Sequence, residues 1–151
     1  MTKENTEKNK HFPSGFRYHT AIQLRFKDVD AMGHVNNANH LTYFETARMH
    51  YFHDVVAHEN DWKKTGFILA KISIDYVQPV LLTDEVVVFT RCSRIGTKSF
   101  DQEYLITRKK EDNYEILSKG LCVLVCYNYE KGASIPILTE WVEQIKAFEG
   151  I

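Results

Sequence analysis

The chain has 151 residues, of which 44% are apolar and 26% are charged, values typical of one soluble globular domain. A formal net charge of −1 gives no electrostatic basis for binding nucleic acid or an anionic membrane surface. The three cysteines form no CxxC or zinc-like set, and with a polar N-terminus that lacks a signal sequence they predict reduced thiols and a cytoplasmic location.

Residues 1–15 are predicted to form a flexible tail, because "MTKENTEKNKHF" shows no apolar pattern. A single domain is expected over residues 16–151, with no apolar run long enough to span a bilayer. In "AIQLRFKD", Ile22, Leu24 and Phe26 alternate with polar residues, which predicts a half-buried strand. The loop "DAMGHVNNAN" follows this strand.

A long buried helix is predicted from about Asn39 onward. Asn36, Asn37 and Asn39 are candidate caps, because their side-chain oxygens can accept hydrogen bonds from free helix N–H groups. Apolar residues at helical spacing form one broad face, made of Leu41, Phe44, Ala47, Tyr51, Phe52, Val55 and Val56.

Four further strands are predicted, in "LAKISIDYVQPV", "DEVVVFTRCSRIG", "KSFDQEYLITRKK" and "YEILSKGLCVLVCYNY". A short C-terminal helix would carry Leu138, Trp141, Val142, Ile145 and Phe148 on its apolar side. This order predicts an α+β domain in which an antiparallel sheet covers the long helix on one side. The uncovered face and the sheet edges favour a partner subunit.

The candidate catalytic groups lie at the junction between the first strand and the helix. Free N–H groups at a helix start suit an anion or a polarised carbonyl. Asp30 lies just upstream, where a carboxylate can act as a nucleophile or as a general base on water. That pairing is what acyl transfer requires. The alternative is that Asp30 and the Asn residues are ordinary cap and turn formers.

The run "RFKDVDAMGHVNNANHLTYFETAR", residues 25–48, resembles the signature of the hotdog-fold acyl-CoA thioesterases of the 4-hydroxybenzoyl-CoA thioesterase-like family. A weaker resemblance extends over residues 16–136. It implies the hotdog fold, an antiparallel sheet wrapped around a long central helix. It also implies a homodimer or homotetramer, an acyl-CoA or acyl carrier protein thioester as substrate, and neither a cofactor nor a metal.

The resemblance also implies roles for residues of the loop. Asp30 would be the catalytic carboxylate and Asp28 a structural one. The backbone N–H of Asn37 would polarise the thioester carbonyl, with Asn36 and Val35 beside it. Gly33 would let the loop approach the thioester closely.

Other positions in the motif keep two interpretations. Glu45 matches the acidic residue on the family's helix and would orient the site or a water; the alternative is an ion pair with Arg48. His40 stands where many relatives carry Tyr, and its contact with the substrate is left open. Tyr43 and Phe44 are candidate walls of the acyl pocket.

"GTKSF" resembles the stretch that meets the nucleotide end of coenzyme A across a subunit interface. Lys98 would neutralise a phosphate, while Thr97 and Ser99 would donate hydrogen bonds. The alternative is a hairpin turn with an exposed lysine.

Three weaker patterns receive structural interpretations. His50, Asp54 and His58 would share a helix face, but a solvated stripe is favoured over a metal site. His34 is assigned to loop support rather than to general base catalysis. Cys122 and Cys126 are predicted to face the core.

The sequence therefore predicts an acyl-CoA thioesterase that releases a carboxylic acid and free coenzyme A. A non-catalytic acyl-CoA-binding module and an acyl-thioester hydratase or dehydratase are the alternatives. Acyl length, the carrier, the choice between nucleophile and general base, the oligomer size and the pathway stay open.

Overall fold

The computed structural model describes residues 11–56 and 59–151. The strands are β1 (Tyr18–Ile22), β2 (Thr65–Tyr76), β3 (Val86–Ile95), β4 (Ser99–Lys109), β5 (Tyr114–Asn128) and β6 (Ala133–Ser134). The helices are α1 (Asn37–Tyr51) and α2 (Thr139–Glu149). A 3₁₀ turn at Phe26–Asp28 follows β1, and a π-helical turn at Phe52–Val56 continues α1.

The strands form one antiparallel sheet in the order β1-β3-β4-β5-β2, with β6 added to β5. Helix α1 packs on one face of this sheet, and the main apolar core lies between them. This arrangement confirms the predicted α+β hotdog architecture. The hairpins joining β3, β4 and β5 and the C-terminal helix also form where they were predicted.

A glycine lets α1 approach the sheet closely. The Phe44 ring stacks on the Tyr104 ring at a centroid distance of 4.8 Å. A Cβ atom added to Gly120 of β5 would lie 2.5 Å from the Phe44 ring. Cys122 and Cys126 on the same face of β5 are buried, as predicted. Any larger residue at position 120 would therefore force the Phe44 ring out of this position.

The first strand ends earlier than predicted. It stops at Ile22, and Phe26, which was expected to be half-buried in the strand, is 87% exposed. The Arg25 backbone N–H donates to the Asp28 carboxylate at 3.1 Å and turns the chain. This local bond between side chain and backbone overrides the alternating apolar pattern.

Helix α1 begins two residues earlier than predicted, because Asn36 caps it. The Asn36 side chain accepts from the Ala38 N–H at 3.0 Å. Leu41 was predicted on the buried face but is 41% exposed. Arg48 is buried instead and donates to the Tyr104 hydroxyl at 3.2 Å. Helical spacing therefore located most of this face but not its polar member.

Phe12, which was predicted to lie in the flexible tail of residues 1–15, also packs on the domain. The Phe12 ring lies edge-on to the Phe89 ring at 5.1 Å, on the sheet face away from α1. The remainder of the predicted tail, residues 1–10, lies outside the described residues. Among the described helices, none combines the length and the apolar composition needed to cross a bilayer.

Strand β2 lies at an edge of the sheet. It pairs with β5 alone, and its other side carries no strand of the described chain. Ile68, Leu69 and Tyr76 on this strand are all exposed large apolar side chains. A long, apolar, unpaired edge is a surface that favours pairing with another strand.

Candidate active site

The Asp28 carboxylate is buried and organises the loop before α1. It accepts from the Arg25 guanidinium at 2.8 Å and from the Tyr43 hydroxyl at 2.8 Å. Its backbone oxygen accepts from the Asn36 N–H at 2.8 Å and from the Asn39 side-chain amide at 3.0 Å. Burial acts to raise the pKa of the Asp28 carboxyl, but the hydrogen bonds from Arg25 and Tyr43 outweigh burial and lower it. Asp28 therefore ties the loop to α1.

Asp30 lies at the exposed tip of the same loop. Its backbone N–H donates to the His34 oxygen, and its own oxygen accepts from the Gly33 N–H, both at 3.0 Å. Gly33 has a φ of +80°, which a residue with a side chain rarely adopts. The Asp30 carboxylate accepts from the Met32 N–H at 2.9 Å and from the Asn36 side-chain amide at 3.1 Å. The carboxylate is thus held beside the cap of α1.

One amide at the start of α1 is open. The Val35 N–H donates to the Val80 oxygen at 2.8 Å, and the Asn36 N–H is bonded to Asp28, so neither can serve a substrate. Within the part of the chain that the structure describes, the Asn37 N–H donates no hydrogen bond. Its carbonyl oxygen accepts from the Tyr76 hydroxyl at 3.0 Å. Asn37 therefore presents a fixed donor at the positive end of the helix.

A cleft of about 270 Å³ lies beside this helix start. Its polar lining comes from His34, Asn37, His40 and Gln78, and Tyr76 forms another wall. The Asp30 side chain does not line this cleft; it is hydrogen-bonded to Asn36, the residue that precedes Asn37 in the chain. The remaining lining residues are Val35, Val77, Pro79 and Val80.

His40 is buried at the base of the cleft. Its Nδ1 lies 2.9 Å from the Ser118 hydroxyl oxygen. The His40 and Tyr76 rings form a T-shaped pair with a centroid distance of 4.9 Å. Burial lowers the pKa of His40 to about 4. The imidazole is therefore neutral at physiological pH.

The structure does not bring the two predicted pocket walls to this cleft. The Tyr43 hydroxyl donates a hydrogen bond to Asp28. Burial raises the pKa of Tyr43, and the hydrogen bond to Asp28 raises it further. Its ring lines a separate cavity of about 250 Å³ with Ile22 and Thr42. Phe44 packs inside the core against Tyr104. Aromatic content alone did not distinguish core residues from pocket residues.

Glu45 is exposed on the third turn of α1. One of its carboxylate oxygens lies 3.9 Å from Nη2 of the buried Arg48. The ion pair considered from the sequence is therefore present, at the outer limit of contact.

The "GTKSF" segment forms the turn between β3 and β4. Thr97 and Lys98 are exposed, while the Ser99 hydroxyl accepts from Arg94 at 3.3 Å. Ser99 pairs with Val125 at one end of β5, whereas Ser118, which contacts His40, lies toward its other end. The intervening strand, at about 3.3 Å per residue, puts roughly 23 Å between them. One chain therefore does not bring this turn and the cleft together.

His50 and Asp54, the two described members of the metal pattern, belong to no group of metal-ligating side chains among the described residues. Asp54 accepts from the Tyr18 hydroxyl at 2.6 Å and contacts His53 at 2.9 Å. His58 lies outside the described residues. In residues 11–56 and 59–151, no three His, Cys, Asp or Glu side chains are grouped as metal ligands.

Three residues near these sites were not singled out from the sequence. Tyr76 and Ser118 lie on strands, and Arg94 precedes the "GTKSF" turn. Tyr76 follows the alternating pattern of its strand, and Ser118 lies beside Lys119 in β5, where no motif distinguishes it. Only the packing of β2 and β5 against α1 places these two beside the cleft.

Comparisons with known proteins give a consistent result. The model of the thioesterase-like superfamily matches residues 24–145. The chain is 25% identical over 133 residues to the long-chain acyl-CoA thioesterase FadM of Escherichia coli, covering 84% of this chain and 96% of that protein. It is 27% identical over 134 residues to the uncharacterized protein YsmA of Bacillus subtilis, covering 88% and 85%.

A solved structure is also similar over nearly the whole chain. It is a thioesterase from Thermus thermophilus complexed with coenzyme A and Zn, with a TM-score of 0.77 and 37% identity. The match covers 92% of this chain and 99% of that one. A thioesterase superfamily structure from Jannaschia sp. has a TM-score of 0.83 at 23% identity, covering 100% of this chain and 94% of that one, and this similarity concerns the fold alone.

Proposed function

Because the chain belongs to the thioesterase-like superfamily and is a thioester hydrolase, we propose that its substrate is an acyl-CoA, which it converts with water into a carboxylic acid and free coenzyme A. The similarity to the acyl-CoA thioesterase FadM supports this substrate class. The coenzyme A bound to the related Thermus thermophilus thioesterase supports it independently.

One observation carries the proposal. Asn36 donates to the Asp30 carboxylate at 3.1 Å and caps α1. Asn37, the first residue of α1, has an open N–H. A carboxylate and an oxyanion donor are thus fixed to the same helix start. A thioester carbonyl placed between them would meet both groups that acyl transfer needs.

The proposed reaction has two possible first steps. As a general base, Asp30 removes a proton from a water whose oxygen attacks the thioester carbon. As a nucleophile, its carboxylate attacks that carbon itself and water then hydrolyses the mixed anhydride. In both routes the Asn37 N–H stabilises the negative oxygen, and the C–S bond breaks to release the coenzyme A thiolate.

The remaining predicted residues have supporting roles in this proposal. Gly33 gives the loop its turn and leaves open space above it, since an added Cβ would meet no atom within 4 Å. Val35 and His40 would form walls of the acyl site. Glu45, held near Arg48, would orient the attacking water.

We also propose that two chains associate through β2. Pairing this exposed edge antiparallel with its copy would set the Thr65 end of one strand beside the Tyr76 end of the other. The β3–β4 turn lies toward the Thr65 end of β2. Ser99, which follows the turn, pairs with Val125 of β5, and Val125 pairs in turn with Ile68 of β2. Lys98 of each protomer would then lie at the cleft end of its partner, where it can bind a coenzyme A phosphate.

The test is release of free thiol from a panel of acyl-CoA and acyl carrier protein thioesters. We expect turnover with acyl-CoA and its loss in Asp30→Asn. Tight binding without turnover, unchanged by that substitution, would indicate a binding module, and hydration of an enoyl-CoA would indicate a hydratase. Sedimentation velocity should give at least a dimer mass; a monomeric active enzyme would contradict the shared site.

A further inference from the structure

A buried histidine at the base of the cleft has a partner that fixes its protonation form. His40 follows Asn37 by three residues, so both face the same side of α1. Both line the same cleft, and the helix rise sets His40 about 4.5 Å further along the axis. His40 therefore lies one turn beyond the amide proposed to bind the thioester oxygen.

Ser118 determines which nitrogen of His40 carries the proton. Its hydroxyl is fully buried, and in the part of the chain that the structure describes its one side-chain hydrogen bond is to His40 Nδ1. A buried hydroxyl proton needs an acceptor. Ser118 therefore donates to Nδ1, and the neutral ring carries its own proton on Nε2. The low pKa of His40 agrees with a neutral ring.

The Nε2–H group is a donor left for a ligand, in a cleft that His34, Asn37 and Gln78 also line. The described residues include no hydrogen-bond partner for it, since the bond that His40 makes uses Nδ1. Val35 and Val80 form apolar parts of the surrounding wall, and the hydroxyl of the adjacent Tyr76 is bonded to Asn37. A plain alkyl chain in this cleft would leave the donor desolvated and unpaired, which is unfavourable.

We propose that His40, held by Ser118 in its Nε2–H form, determines acyl specificity by donating a hydrogen bond to an oxygen on the acyl group close to the thioester. The inference rests on the proposed function and names a substrate class within it. An oxo or hydroxyl oxygen on the third acyl carbon, two bonds beyond the carbonyl carbon, would lie one helical turn from Asn37. His40 acts as a neutral donor and transfers no proton.

The experiment compares kcat/KM for matched acyl-CoA pairs of equal length, one saturated and one carrying a 3-oxo or 3-hydroxy group. The wild-type enzyme should prefer the oxygenated member about tenfold to 100-fold, the range that one unpaired buried donor gives. In His40→Leu this preference should disappear. His40→Gln retains an amide donor and should restore part of it.

Ser118→Ala tests the positioning role separately. Without the Ser118 donor the imidazole proton is free to move to Nδ1, so the preference should weaken although His40 remains. ¹⁵N chemical shifts of labelled histidine should show the Nε2–H tautomer in the wild type and a mixture in the variant. A Ser118→Ala enzyme with both the wild-type preference and the wild-type tautomer would overturn this role.

Because each ratio is measured within one protein, a general loss of folded enzyme does not change it. Equal kcat/KM values for both members in the wild type, or the same preference in His40→Leu, would overturn the inference alone. No hydrolysis of any thioester by the wild type would overturn the proposed function and this inference with it. The two failures are thus distinguishable.

Discussion

The Asn36 side chain joins the Asp30 carboxylate to the start of α1. Its amide nitrogen donates to Asp30 at 3.1 Å, and its amide oxygen accepts from the Ala38 N–H at 3.0 Å. One residue therefore caps the helix and orients the proposed catalytic group. The two roles use different atoms, so substitutions can separate them.

We expect Asn36→Ser to lower kcat by about tenfold, because it loses the amide that holds Asp30 in place. Its hydroxyl still accepts at the N-cap, where Ser and Asn are about equally effective. The free energy of unfolding should therefore change by less than about 0.5 kcal/mol. Thiol-release kinetics and urea unfolding measure the two effects.

The matched control is Asn36→Ala, which removes both functions of the side chain. It should lower kcat as much as Asn36→Ser and cost about 1 kcal/mol more in unfolding free energy. A wild-type kcat in Asn36→Ser would show that the Asp30 carboxylate needs no anchor.

The second prediction concerns the buried Asp28. Tyr43→Phe removes a hydroxyl that donates to its carboxylate at 2.8 Å and should lower the unfolding free energy by about 1.5–3 kcal/mol at neutral pH. The folded pKa of Asp28 lies below 3.8, so its contribution is present above 3.8 and is lost as pH falls through the folded value. The cost of Tyr43→Phe should therefore shrink as the solution is acidified below pH 3.8.

Urea unfolding of both proteins at neutral pH and below pH 3.8 measures this change. Tyr76→Phe is the control, since it removes a hydroxyl that donates to the neutral Asn37 carbonyl. The loss of unfolding free energy in Tyr76→Phe should be the same at both pH values. A Tyr43→Phe cost that is the same at both pH values would contradict the role of an ionised Asp28.

The third prediction concerns the pH dependence of stability. The pKa of His40 is about 4 in the folded chain and 6.5 in its ordinary state, so the unfolded chain binds more protons between these values. His40 therefore stabilises the fold above pH 6.5, and this contribution is lost as pH falls toward 4. The loss should be on the order of 2 kcal/mol.

The measurement is the unfolding free energy of the wild type and His40→Gln across this pH range. Any constant cost of the substitution cancels in the comparison, and His19, whose pKa is also lowered by burial, is present in both proteins. The variant should lose less stability on acidification. Parallel pH profiles would mean that His40 titrates normally in the folded state.

The fourth prediction tests recognition of the nucleotide. Lys98→Ala should raise KM for an acyl-CoA by about fivefold to tenfold, because one exposed charge pair with a phosphate is lost. KM for the matching acyl-pantetheine, which lacks the nucleotide, should not change. Equal effects on the two substrates would assign Lys98 to the hairpin turn alone.

The sequence was sufficient where a repeating pattern decides the structure. Alternating residues located β3, β4 and β5, and helical spacing located α2 and most of α1. The pattern failed at Phe26, where the Asp28 carboxylate captures a backbone N–H and ends the strand. A single polar contact of this kind leaves no periodic signal.

The candidate site was only partly predictable for a related reason. Asp30, Gly33 and Asn36 lie within one short motif, so their proximity follows from the chain itself. Ser118 and His40 are 78 residues apart in the sequence, and they come into contact only because β5 packs against α1. Tyr43 was assigned to the pocket because its ring is aromatic, whereas its hydroxyl supports Asp28.

The most direct measurement compares Asp30→Asn with the wild type in acyl-CoA hydrolysis and acyl-CoA binding. Asn keeps the size of the side chain and can still accept from the Met32 N–H, but it cannot activate water or attack a thioester at a useful rate. We predict a fall in kcat of at least about 100-fold, with Kd and melting temperature close to wild type. An Asp30→Asn enzyme that releases coenzyme A at the wild-type rate would contradict the account.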